Sequence, residues 1–178
     1  MKRYQDWAKR ESTTGRQVIT LALAGLLIVG IIPFLVVVAS LALDRRLELP
    51  DFYAGPVNII AGSLLAVVGL GLGVWSVLVE ITIGKGTPVP VAPTQKLVVQ
   101  PPFTYCRNPM TLGTIIAYLG FAVGIGSFFA LVIVLILMSL LLLYIKLLEE
   151  KELEVRFGEE YLAYKRCTPF ILPRKPRG

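Results

Sequence analysis

This sequence predicts an all-α, polytopic membrane protein of about four transmembrane helices, the last two folded into a C-terminal helical hairpin. Three observations carry that prediction. Of the 178 residues, 55% are apolar and only 17% charged, and mean hydropathy is +0.71, a balance suited to lipid rather than water. The apolar residues gather into long charge-free runs separated by polar connections containing Pro or Gly. The last run is too long for one crossing. Between Arg107 and Lys146 lie 38 residues without charge, and a single helix of that length would measure about 57 Å against a hydrocarbon core of about 30 Å.

Residues 1–17 carry five basic residues interleaved with Tyr4 and Trp7, the pattern of an interfacial amphipathic segment. Val18 to Leu43 follows as 26 uncharged residues. A signal peptide's apolar region runs to only about 15 residues, so this reads as an anchor, and Pro33 in its middle predicts a kink. A polar loop with Asp44, Arg45, Arg46, Glu48 and Asp51 leads to the second run, Phe52 to Val79. Gly69 and Gly73 there are spaced as GxxxG, which lets another helix backbone approach. Glu80 to Gln100 is the longest connection. Its prolines exclude a continuous helix, and it reads as an ordered loop facing the site or as a simple tether.

The hairpin legs are Thr111 to Val123 and Phe128 to Leu148, with Gly124-Ile125-Gly126-Ser127 as the reversal, because glycine tolerates a turn's backbone angles. Gly120 and Gly124 repeat the small-residue spacing. Past Leu148 the helix turns charged, with i,i+4 pairs Lys146–Glu150 and Glu152–Arg156, and Gly158 is a stop. The tail is basic and proline-rich.

With four spans, both termini and the 80–110 connection share a side. That side holds 16 of the 18 basic residues, leaving Arg45 and Arg46 opposite, so the positive-inside rule predicts cytoplasmic termini and a cytoplasmic site in a multi-pass protein. Net charge of +6 placed this way fits anionic lipid rather than nucleic acid. Histidine is absent, which removes the commonest general base and metal ligand, and no metal is expected. Cys106 and Cys167 have no zinc spacing and read as free thiols.

Folding the hairpin returns Arg107-Asn108-Pro109 to Glu149-Glu150. Ionisable groups at such depth are costly unless paired or hydrated, so they are candidates for function, although membrane-edge anchors would look the same. The order Tyr105-Cys106-Arg107-Asn108-Pro109-Met110-Thr111-Leu112-Gly113, then Glu149-Glu150, then Phe157-Gly158-Glu159-Glu160-Tyr161, then Pro169 and Leu172-Pro173, resembles the C-terminal half of the isoprenylcysteine carboxyl methyltransferase family and the related phosphatidylethanolamine N-methyltransferases. The resemblance covers roughly residues 84–173. Asn108 stands where that family usually has histidine, and Thr111 where it often has tyrosine.

By size this is a single membrane domain over residues 1–178, with the amphipathic segment over 1–17 and two spans over 18–79, and the resemblance makes residues 80–173 its methyltransferase-like catalytic half. It implies an enzyme that moves methyl from S-adenosylmethionine, leaving S-adenosylhomocysteine, to a membrane-embedded lipid-like acceptor. The isoprenylcysteine-like carboxyl reaction is the first expectation, a phospholipid amine the alternative, and a non-catalytic membrane protein or small transporter the rival of another class. Arg107, Asn108, Pro109, Glu149 and Glu150 map onto the cofactor pocket, with Leu112 and Gly113 allowing close approach. Arg107, Glu149 and Tyr105 are the catalytic candidates. Methyl transfer needs alignment and exclusion of water, and no metal or covalent nucleophile. The acceptor and the oligomeric state are not legible in the residues.

Overall fold

A computed structural model describes residues 14–48, 55–87 and 94–175. The rest of the expected amphipathic segment, the tip of the first polar loop, residues 88–93 of the long connection and the last three residues lie outside them. The described residues are helical, with no strand. Three helical stretches are long and apolar enough to cross a membrane, Gln17–Leu47, Pro56–Gly84 and Phe128–Phe157, and Pro109–Ile125 is a shorter apolar helix.

The first rod runs from α1 (Thr14–Gly25) through a π-helical turn (Leu26–Ile31) into α2 (Ile32–Leu47). The irregular turn has a local cause. Pro33 lacks an N–H and its ring collides with the carbonyl four residues back, so the helix widens ahead of it. The Ile32 N–H reaches the Leu27 carbonyl. The next donor in that register would be Pro33, so the Ile28 carbonyl loses its backbone partner. The Tyr118 hydroxyl donates to it at 2.6 Å.

The second rod is α3 (Pro56–Gly84), and α4 (Pro109–Ile125) lies against it. Glycine makes the contact possible. A Cβ added at Gly62 would come within 2.5 Å of the Gly120 carbonyl oxygen, and one at Gly113 within 2.5 Å of the Gly69 oxygen and 2.8 Å of the Gly73 nitrogen. No side chain fits there, so the backbones touch directly, as the small-residue spacing predicts. Elsewhere the rods present large apolar side chains outward, Phe34, Ile60 and Val67 among them, which is the surface that lipid covers.

The chain reverses at Gly126, whose φ is 70°, and returns as α5 (Phe128–Tyr144). Buried side chains close this end. Ser127 accepts from the Ala130 N–H at 2.9 Å, capping α5. Asp44, in the last turn of α2, accepts from the Ser127 hydroxyl and from the Phe129 N–H at 3.3 Å. Asn58 donates to the Val123 carbonyl at 2.9 Å. A carboxylate at a helix N-terminus and a donor at a C-terminus satisfy groups that each helix leaves open. Val36, Tyr118, Ala122, Ala130, Val134 and Met138 form the core between α2, α4 and α5.

Beyond α5 come a second π-helical turn (Ile145–Glu149), α6 (Glu150–Phe157) and α7 (Glu159–Cys167). Gly158, with φ of 55°, supplies the break between the last two.

Candidate active site

The hairpin brings its two charged ends together. Arg107 leads into α4, and Glu150 follows the π turn after α5. Nε and Nη2 of Arg107 donate to Oε1 of Glu150 at 3.0 and 2.6 Å. Nη1 donates to the carbonyls of Lys165 and Thr168 at 3.0 and 2.6 Å. The other oxygen of Glu150 receives Nζ of Lys165 at 2.7 Å, and the same Nζ meets Glu154 at 2.9 Å. Hydrogen bonds to Glu150 and Glu154 hold the Lys165 ammonium above the usual lysine range. The Arg107 and Glu150 side chains are only 10% and 4% exposed, and their donors and acceptors are met within the protein. This is a clamp.

The clamp also ties down the C-terminal arm. The Arg107 N–H donates to the Pro169 carbonyl at 2.9 Å, and Asn108 Nδ2 donates to the Phe170 carbonyl at 2.9 Å. With one Nδ2 hydrogen engaged, Asn108 keeps its amide oxygen and its second N–H for other partners. Tyr164 donates from its hydroxyl to the Phe103 carbonyl at 2.7 Å. Burial pushes the Tyr161 and Tyr164 hydroxyls well above the usual phenol range, so both stay neutral. Burial likewise raises the Cys106 thiol, while Cys167 is exposed; both are free.

Beside the clamp a cavity of about 160 Å³ opens. Asn108, Glu149, Glu80 and Arg156 supply its polar wall, and Phe103, Phe157, Tyr161 and Tyr164 its aromatic one. The long connection borders it as well, through Thr87, Thr94, Lys96, Leu97 and Val98. Its ends are pinned at the C-terminus of α3, where the N–H groups of Gln95 and Lys96 reach the Gly84 carbonyl at 2.7 and 3.3 Å. Arg156 joins connection to helix: Nη2 donates to Thr94 Oγ1 at 2.9 Å and Nη1 to Glu152 at 3.1 Å, while its Nε is buried without a partner among the described residues.

A profile for the family described as phospholipid methyltransferase matches residues 57–160, the stretch from α3 into the start of α7. The chain belongs to this family. It is a membrane methyltransferase by that membership, in the same broad group that the sequence pattern resembles. No curated protein and no solved structure matches.

Within this phospholipid methyltransferase family member the residues singled out in the sequence fall into three groups. Arg107, Asn108 and Glu149 border the cavity. Glu150 belongs to the clamp beneath it, and Pro109 is buried at the first turn of α4. Gly113 lies at the crossing with α3, and neither Leu112 nor Tyr105, which is 39% exposed, lines the cavity. The π turn accounts for the split between the two glutamates. Its extra residue rotates the helix, so Glu150 meets Arg107 rather than its i,i+4 neighbour Lys146, while Glu149 reaches the cavity. Glu152–Arg156 does form. Sequence reasoning missed Glu80 and Arg156. Glu80 reads as the start of a loop, yet α3 continues to Gly84 and carries it to the cavity wall. Among the described residues no cluster of ligands could hold a metal.

Proposed function

We propose that this chain transfers a methyl group from S-adenosylmethionine to the head group of a membrane-embedded amphiphile. The observation that carries this reading is the cavity itself: it lies where the charged ends of the spans converge, and all its lining residues but Tyr161 and Tyr164 fall within the segment matched to the methyltransferase family. The donor set suits the cofactor. Carboxylates and an amide oxygen can accept from ribose hydroxyls and an ammonium, and aromatic side chains offer faces to a purine. When bound, S-adenosylmethionine would supply a methyl group activated by a sulfonium, with the neutral thioether of S-adenosylhomocysteine as the leaving group.

The residues divide the work. Glu149 and Asn108 hold hydroxyls or the ammonium at the cavity wall. Arg107 acts as a positioning residue, because its donors are taken by Glu150 and two carbonyls; through that clamp it fixes Asn108 and Glu149. Phe103, Phe157, Tyr161 and Tyr164 exclude water from the reacting atoms, which a displacement at a charged methyl requires. An apolar groove of about 360 Å³ between α1, α3 and α4 starts at Met110, two residues from Asn108, and suits the tail of a lipid acceptor. The distribution of basic residues supports a cytoplasmic side for cavity and termini.

A phospholipid head group accords with the family's description, and an amine and an isoprenylcysteine-like carboxylate are the two acceptors to separate. Membranes containing the chain, incubated with methyl-labelled S-adenosylmethionine, should transfer label to the lipid phase. Label that resists mild base identifies a methylated amine, and label released by base identifies an ester. No label above that of membranes lacking the chain would overturn the proposal.

A further inference from the structure

Glu80 sits one turn before the end of α3, a place where the helix dipole opposes a negative charge. It is partly buried and lines the cavity together with Glu149, which is partly buried as well. Of the cations around them, Arg107 is held by Glu150 and Lys96 is exposed at the rim, while Arg156 is bound to Glu152 and Thr94 through its Nη atoms and keeps a buried Nε without a partner among the described residues. Neither Glu80 nor Glu149 has an ion pair among the described residues. Two neighbouring carboxylates withdrawn from water oppose folding unless a positive group comes between them. Sites that keep such groups are candidates for ligand recognition.

We propose that Glu80, lining the same cavity wall as Glu149, recognises an alkylammonium group, making it a specificity-determining residue for the methyl transfer. This rests on the proposed function and adds to it the charge of the group bound. Two molecules bring an alkylammonium to the cavity: the amino-acid end of S-adenosylmethionine, and the head group of an amine-bearing lipid, which must pass a proton to a carboxylate such as Glu149 before its nitrogen lone pair can take the methyl. Both meet an acidic wall that attracts them. A carboxylate acceptor meets the same wall and is repelled, so the site selects against it.

The test compares the wild-type chain with Glu80→Gln and Glu80→Asp in nanodiscs of phosphatidylethanolamine and phosphatidylglycerol. The probes are S-adenosylhomocysteine and 5′-methylthioadenosine, which shares the nucleoside thioether but lacks the amino acid. If Glu80 grips the cofactor's ammonium, Glu80→Gln weakens S-adenosylhomocysteine at least tenfold, leaves methylthioadenosine unchanged, and Glu80→Asp recovers part of the loss. If it grips the acceptor, both probes bind as before and KM for phosphatidylethanolamine rises at least tenfold with kcat little altered. Unchanged binding and KM in Glu80→Gln would overturn the inference, as would equal weakening of both probes, the mark of local damage. A wild-type chain that binds neither probe would instead remove the methyltransferase reading and this inference with it.

Discussion

The two ends of the hairpin are closed by different chemistry. At the turn, Asp44 and Ser127 cap α5 and Asn58 caps α4, so each of these polar side chains meets a protein group. At the other end Arg107, Glu150 and Lys165 satisfy one another, but next to them in sequence and in space Glu149 faces a cavity, with Glu80 on the same wall. The difference separates two uses of charge in one small membrane protein. Charges that face each other hold the helices together, and charges that face open space are free to meet a ligand.

Substitutions can break that contrast. The largest effect is expected from Arg107→Ala, which leaves Glu150 buried with only Lys165 and strips two carbonyls of their donor. Breaking a buried pair on one side costs about 3–5 kcal/mol, visible as a large fall in the thermal midpoint of the detergent-purified chain. A midpoint like that of the wild type would remove the clamp from the account. Asp44→Ala comes next. Losing a helix cap costs about 1–2 kcal/mol, and affinity for S-adenosylhomocysteine should stay at its wild-type value because the turn lies at the far end of α4 and α5. A loss of affinity there, at unchanged stability, would mean that the two ends are coupled.

Much of this arrangement is legible in the sequence, for a definite reason. A charge-free run twice the thickness of a bilayer must fold back, and Gly124-Ile125-Gly126-Ser127 is where it can, so the meeting of Arg107 with Glu150 follows from length and composition. The glycine contacts between α3 and α4 follow from spacing in the same way. What the sequence hides depends on rotation about a helix axis. Whether Glu149 or Glu150 turns to the clamp is decided by the π turn at Ile145–Glu149, and no local pattern announces it. Glu80 is hidden by the continuation of α3 to Gly84, which places a loop-like residue on a helix. Asp44 reads as loop polarity, and only the packed hairpin reveals it as the cap of a helix that starts more than eighty residues later. The Ile28 carbonyl freed by Pro33 finds Tyr118 for the same reason: partners this distant become neighbours only through packing.

The smallest effect on stability and the sharpest on function are expected together, at Glu149. Replacing an unpaired carboxylate by its neutral isostere removes a repulsion from the fold and an acceptor from the site. The direct measurement is titration calorimetry of S-adenosylhomocysteine against wild type and Glu149→Gln, with thermal midpoints taken on the same samples. The account predicts binding by the wild type and at least tenfold weaker binding by Glu149→Gln, at a midpoint equal to or above that of the wild type. Equal affinity in the two proteins, or affinity lost only together with the fold, would contradict it.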